Sequence, residues 1–167
     1  HLPAYRKFVF GVDDTDIPGK GATWSIMNEV GYQAEQDGVA YYLDHTITQL
    51  YPHAPRKTTN CVTVALNLAC PMGQEKSLKK YLLEKIAERT YSDDAAAVFW
   101  DKVDIDPRLR RYTQNAKNRI VEIEEAERTA KETGLELVEI TGPNGKIGAV
   151  ASIGLHRERE KAVMPYY

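Results

Sequence analysis

Asp13-Asp14-Thr15-Asp16 places three carboxylates within four residues. Such a cluster repels itself unless something positive sits among the oxygens. A hard divalent cation, held by one or two carboxylates and completed by phosphate oxygens, is the natural occupant, so Asp13, Asp14 and Asp16 are candidate Mg²⁺ ligands. Gly19 and Gly21 follow, and a helix is expected to start near Thr23. Backbone N–H groups and the positive end of a helix dipole there suit an anion. Arg56 and Lys57, in a Pro-rich turn, would add cationic partners for outer phosphates. Together these parts describe a nucleotide-phosphate site. The plain alternative for the acidic run is a solvated Asx turn before Pro18-Gly19. Gly19-Lys20-Gly21 lacks the spacing of a Walker loop.

Other residues leave two readings open. Gly145-Lys146-Ile147-Gly148 lies between a strand and a helix and either holds phosphate or permits close helix packing. Arg108, Arg110, Arg111, Lys117 and Arg119 form either a solvated helix face or a nucleic-acid contact, with Glu122, Glu124 and Glu125 following at once. His45 and His53 read as turn or surface residues. Trp24, beside the phosphate loop, is the aromatic best placed to stack on a base, whereas the ten tyrosines are spread out rather than striped.

The elements that must position these residues follow from periodicity. Residues 8–12 form a short apolar β run, and Ile26, Met27, Val30 and Ala34 repeat at helical spacing until Asp37-Gly38. Residues 39–51 and 59–69 read as strands about the turn at residues 52–57, a helix is expected over 74–90, and residues 95–100 form a fourth strand. The order β-α-β-β-α-β is that of a split βαβ, ferredoxin-like α+β core. A C-terminal α-β-α segment extends it: one long helix over 108–131 stopped at Gly134, a strand over 135–140, and a helix through Leu155. The first, second and fourth strands are expected to run parallel. That would gather the aspartates, the Arg56-Lys57 tip and Trp100-Asp101-Lys102 at one sheet edge.

Composition excludes several classes. The chain has 167 residues, 43% hydrophobic and 28% charged, with a formal net charge of −2. One core can serve that length, and the chain is too apolar to be disordered. No apolar run reaches the ~18 residues of a membrane helix. The balanced charge supplies no strong positive field for phosphate backbones. Cys61 and Cys70, nine apart with no ligand spacing, read as buried thiols in a reducing compartment rather than a zinc site. The first residue is His rather than Met, and the opening is no signal peptide. The sequence therefore reads as one domain, residues 1–167, excised from a longer protein, with a core over 6–155 and an exit segment over 156–167.

Phe10-Gly11-Val12-Asp13-Asp14-Thr15-Asp16, with Gly21-Ala22-Thr23-Trp24 after it, resembles the opening of the kinase domain of the archaeal isoleucine-tRNA agmatidine synthetase. Pro55-Arg56-Lys57-Thr58, Ala97-Val98-Phe99 and Gly145-Lys146-Ile147-Gly148-Ala149 continue the resemblance in order. That family uses ATP to phosphorylate a cytidine oxygen in tRNA before an amine displaces the phosphate. The resemblance implies that Asp13, Asp14 and Asp16 handle metal and phosphates, that Thr23 matches a threonine that becomes phosphorylated, and that Lys57 and Asn60 contact nucleotide. The family's Arg-Gly-Asn-Gly after Lys-Thr is replaced here by Thr59-Asn60-Cys61. The Gly-Ala-Thr-Trp variant is similar to the methanogenesis marker proteins of archaea, marker protein eleven in particular.

The leading expectation is a cytoplasmic, Mg²⁺-dependent, ATP-using phosphotransferase or synthetase domain whose partners are ATP and tRNA or another nucleotide-containing acceptor, with no membrane. One alternative is a non-catalytic nucleotide- or RNA-binding regulatory module using the basic helix. A second is a phosphatase with an aspartyl nucleophile, in which Asp14-Thr15-Asp16 imitates a D-x-D signature although Pro18 departs from it.

Overall fold

A computed structural model describes residues 4–16, 22–52 and 62–158. The elements run β1 (Tyr5–Asp13), α1 (Thr23–Gln36), β2 (Tyr41–Gln49), β3 (Val62–Pro71), α2 (Glu75–Arg89) and β4 (Ala96–Trp100), then α3 (Pro107–Asn118), α4 (Ile123–Thr133), β5 (Glu136–Glu139) and α5 (Lys146–Gly154). The expected α+β class and split βαβ core are present. Five strands form one sheet in the order β2-β3-β1-β4-β5, with every pairing antiparallel.

The sheet is buried on both faces because its central strands are apolar on both. Phe8, Phe10 and Val12 of β1 join Met27 and Val30 of α1 and Leu78, Leu82 and Ile86 of α2 in one core. Val9 of the same strand points the other way, with Val98, Trp100, Leu109, Tyr112 and residues 149–151. The period-2 alternation of side chains thus feeds two cores, and the domain is a three-layer sandwich with the sheet in the middle.

α5 lies against β1 because both sides are small. A Cβ added to Gly11 would stand 1.9 Å from the Ser152 hydroxyl and 2.9 Å from Val98 Cγ2. One added to Gly154 would stand 2.4 Å from the Leu109 carbonyl oxygen.

Two expectations need correction. The fourth strand is not parallel to the first: Val9 pairs with Trp100 and Asp13 with Ala96. Trp100-Asp101-Lys102 therefore lies at the edge opposite the aspartates, and the start of β4 takes the expected place. A split βαβ interleaves two crossovers, so β4 runs parallel to β3 and antiparallel to the β1 that separates them. The single long helix is in fact two. Arg119 is extended (φ −154°, ψ 168°) and Val121 is buried between α3 and α4. Ala116, Val121 and Ala126 are spaced by five, which a continuous helix cannot keep on one face.

Gly11→Ala is expected to cost about 1–3 kcal/mol of stability. Adding Ser152→Ala, which removes the 1.9 Å collision, is expected to recover at least half of it. Urea unfolding of both variants checks this; an unperturbed Gly11→Ala would contradict the close approach of α5.

Candidate functional site

β1 delivers its chemistry at its C-terminal end. Asp13 still pairs with Ala96 in the ladder, and on the other side Thr63 Oγ1 donates to the Val12 carbonyl at 3.1 Å. Asp14 then takes a left-handed backbone (φ 59°), alone among the described non-glycine residues. Asp is among the few side chains that tolerate this, and the reversal ends the strand. All four residues of Asp13-Asp14-Thr15-Asp16 are buried, which rules out the solvated-turn alternative.

Asp13 faces α5. A Cβ on Gly148 would lie 1.7 Å from Asp13 Oδ2, and one on Gly145 would lie 2.8 Å from the Asp13 carbonyl oxygen. Gly148 therefore admits the carboxyl group to the first turn of α5 and Gly145 admits the backbone of Asp13 and of the start of β4, which favours the packing reading of the loop over the phosphate reading. Lys146 belongs to neither. Its ammonium pairs with Glu139 at 2.7 Å and Glu127 at 3.5 Å. Burial lifts the Asp13 carboxyl well above its ordinary range, with the Asp14 charge adding to the effect and a hydrogen bond from the Asp14 backbone opposing it.

The next part of the turn gathers charge and hydroxyls. Asp14 is raised to about 7, first by burial and then by the charges of Asp94 and Asp16. Asp94 is a site residue that the sequence reading does not single out. It lies just before β4 and arrives because that strand runs antiparallel to β1; Ser92-Asp93-Asp94 ahead of a strand is the available signal. The Asp94 carbonyl accepts the Gly145 N–H at 2.8 Å, which fastens the glycine loop beneath it.

Thr15 and Thr23 bring two buried hydroxyls together. Thr15 Oγ1 donates to Thr23 Oγ1 at 3.0 Å, and Thr23 Oγ1 donates toward Asp16 Oδ1 at a long 3.5 Å. The Thr15 carbonyl accepts the Tyr91 N–H at 2.8 Å and the Thr90 hydroxyl at 3.2 Å, so the loop after α2 holds the acidic turn in place. Thr23 opens α1, whose N-cap residue Ala22 provides no side-chain acceptor.

Gly19, Gly21, His53, Arg56, Lys57, Asn60 and Cys61 lie outside the described residues. The strands that flank residues 53–61 do reach the right edge: Gln49 pairs with Val62, and Val64 pairs with Val12. Cys70 is a buried free thiol, as expected. Among the described residues no three His, Cys, Asp or Glu side chains are gathered closely enough to hold a metal. The donor set still suits a hard cation. None of the ion pairs among the described residues neutralises Asp13, Asp14, Asp16 or Asp94, and an ion held by one or two carboxylates takes its other ligands from water and phosphate.

The basic helix is mostly spoken for. Arg108 pairs with Asp106 at 3.0 Å, Arg110 with Glu158 at 2.7 Å and Arg119 with Glu125 at 2.9 Å, while Lys117 donates to the Gln49 carbonyl at 3.2 Å. Four of the five basic residues thus have partners within the protein, which favours the paired, solvated reading over the phosphate-binding one. Among the described residues no helix is long and apolar enough to cross a membrane.

In the protein without bound cations, Asp14 favours a folded state in which it is protonated. Its pKa rises from 3.8 to about 7 on folding, so the folded chain binds the extra proton between those values. The stability contributed by protonated Asp14 is therefore fully present below pH 4 and is lost as pH rises through about 7. Asp14→Asn, which keeps the left-handed backbone tolerable, is expected to be roughly 1–3 kcal/mol more stable than the native chain at pH 8 and equal to it near pH 4. Urea unfolding at both pH values in chelator checks this; equal stabilities at pH 8 would contradict the burial of that charge.

Residues 9–82 match the family model described as the TiaS TCKD domain. An uncharacterized protein of Methanocaldococcus jannaschii is 39% identical over 153 residues, spanning 92% of this chain and 51% of that one. The tRNA 2-agmatinylcytidine synthetase TiaS of Pyrococcus horikoshii is 31% identical over 147 residues, spanning 86% of this chain and 34% of the enzyme. The chain thus covers about half of the first relative and about a third of the second. The crystal structure of TiaS in complex with tRNA and ATP superposes with a TM-score of 0.78 at 22% identity, covering 89% of this chain and 36% of that one. Apo TiaS gives 0.72 at the same identity and 35% of its length. In sequence over most of its length, and in fold, the chain resembles the N-terminal TCKD domain of the tRNA-modifying synthetase TiaS.

Proposed function

We propose that this chain is an ATP-using, Mg²⁺-dependent phosphotransferase domain that works in the cytoplasm on tRNA or another nucleotide-containing acceptor. Its resemblance to TiaS marks it as a domain related to tRNA modification, and the relative's solved complex contains tRNA and ATP. The observation that carries the finer reading is the buried Thr15–Thr23–Asp16 chain beside Asp14 and Asp94, which no ion pair among the described residues reaches.

Phosphoryl transfer needs positioning and charge neutralisation more than elaborate covalent chemistry. Thr23 Oγ would attack the terminal phosphorus of ATP; a new P–O bond forms, the bond to the bridging oxygen breaks, and ADP leaves. Asp16 would take the Thr23 proton, since its carboxylate already accepts from that hydroxyl. Thr15 orients the Thr23 oxygen through its own hydroxyl. The acceptor oxygen would then bond to that phosphorus as the Thr23 Oγ–P bond breaks, and the proton held by Asp16 would return to Thr23 Oγ. Mg²⁺, held by Asp14 and Asp16 with Asp94 nearby, would screen the phosphates from the carboxylates and neutralise charge as it develops. Asp13 acts at a distance, shaping the turn from its place against α5. Lys57, Arg56, Asn60, Gly19 and Gly21 are the proposed phosphate contacts from outside the described residues.

Incubation with ATP and Mg²⁺ followed by peptide mass spectrometry is expected to find a phosphoryl group on Thr23. It should be absent from Thr23→Val and should form roughly 10²-fold more slowly in Asp16→Asn. An unmodified chain with no nucleotide consumed would contradict this function, and modification of Asp14 instead would favour the phosphatase alternative.

A further inference from the structure

Trp24 follows Thr23 in the first turn of α1, yet the residue is 41% exposed. The ring is not loose. Its Nε1–H donates to His45 Nε2 at 3.1 Å. An acceptor at Nε2 assigns the proton of neutral His45 to Nδ1, which then donates to the Tyr42 hydroxyl oxygen at 2.9 Å. The Tyr42 hydroxyl donates onward to Asn28 Oδ1 at 3.1 Å. Tyr32 closes the row with its ring 5.2 Å from that of Tyr42, edge to face. Trp24, Asn28 and Tyr32 recur every fourth residue along α1, and Tyr42 and His45 meet them from the edge strand β2.

Fixing several side chains to hold a ring that stays in water lowers conformational entropy with little burial in return. The arrangement makes sense as a preorganised surface. His45 meets the indole through its N–H edge, with ring centroids 6.1 Å apart and planes inclined by 62°, so it does not cover the indole face.

We propose that Trp24 is the stacking surface for the nucleobase of the phosphoryl acceptor, and that His45 is a positioning residue that holds its ring. This rests on the function proposed above. If the terminal phosphorus of ATP reaches Thr23, the adenine of that ATP is kept away by a ribose and two further phosphates. The acceptor oxygen, by contrast, must come within bonding distance of the same phosphorus. The ring carried by the residue that follows Thr23 in the same helical turn therefore suits the acceptor's base better than the donor's. An unstacked base of a single-stranded RNA segment is the occupant, because a base stacked within a duplex has no free face to offer.

The two tryptophans make the test direct, since Trp100 is only 3% exposed and lies at the opposite edge of the sheet. The full chain is titrated with a short cytidine RNA, with an abasic ribose-phosphate strand of equal length, and with Mg²⁺·ATP. The cytidine strand is expected to quench Trp24 fluorescence and the abasic strand is not. Trp24→Ala is expected to weaken cytidine-strand binding roughly 5–150-fold, the range that stacking one base supplies, while leaving the abasic strand unaffected. Trp24→Phe should restore most of the affinity, and His45→Ala should lose part of it with the ring left unheld. No quenching by the cytidine strand, or equal binding of both strands by the native chain and Trp24→Ala, would overturn the proposal. The Mg²⁺·ATP titration separates the two failures: a chain that binds Mg²⁺·ATP but ignores bases refutes the stacking surface alone, whereas one that never binds Mg²⁺·ATP refutes the phosphotransferase reading on its own account.

Discussion

A carboxylate removed from water without a cation is costly, and the functional edge of this domain holds several. Asp13 is pushed well above its ordinary range by burial, Asp14 is raised to about 7, and Asp94 and Asp16 add like charge to Asp14. No salt bridge among the described residues reaches any of the four. Cations are not scarce nearby in the chain: Lys146 shares the first turn of α5 with Gly148, yet two glutamates engage it. No cation among the described residues therefore offsets the turn, and burial favours the protonated forms of Asp13 and Asp14. Ionising these carboxyls without a cation costs local stability, a cost of the kind found where function and folding compete.

The same constraint explains the shape of the neighbouring structure. The loop before α5 and its first turn are rich in glycine because Asp13 and the start of β4 occupy the space where side chains would stand. Gly142, Gly145 and Gly148 would each collide with residues 93–96 or with Asp13 if they carried a Cβ. α5 is in turn short and small, which lets it rest on Gly11 and close the second core. The C-terminal extension is therefore part of the site: it forms one wall of the acidic turn, and the loop after α2 forms another through Thr15.

Much of this is legible in residues alone. The alternation of Phe8, Phe10 and Val12 against Val9 marks a central strand, the helical spacing of Ile26, Met27 and Val30 marks α1, and together with the later strands these identify the split βαβ core. Asp13, Asp14, Asp16 and Thr23 stand out because strand ends and helix starts announce themselves locally. Asp94 does not, because its place depends on the direction of β4, a property of topology that no local pattern carries; the same direction moves Trp100 to the far edge. The break between α3 and α4 falls where Asn118 and the β-branched pair Ile120-Val121 weaken an otherwise helix-favouring stretch, and the five-residue spacing of Ala116, Val121 and Ala126 marks it. The role of Gly148 is undecidable in sequence, since a glycine that admits phosphate and one that admits a carboxyl group look alike until the neighbour is known.

In the function proposed above, a divalent cation together with a bound triphosphate completes the buried acidic turn. Titration calorimetry of ATP into the chain, with Mg²⁺ and then in chelator, repeated on Asp14→Asn, tests it most directly. Binding that requires Mg²⁺ and is lost in the variant is the expected result. ATP binding of equal strength in chelator, or undiminished in Asp14→Asn, would contradict the account.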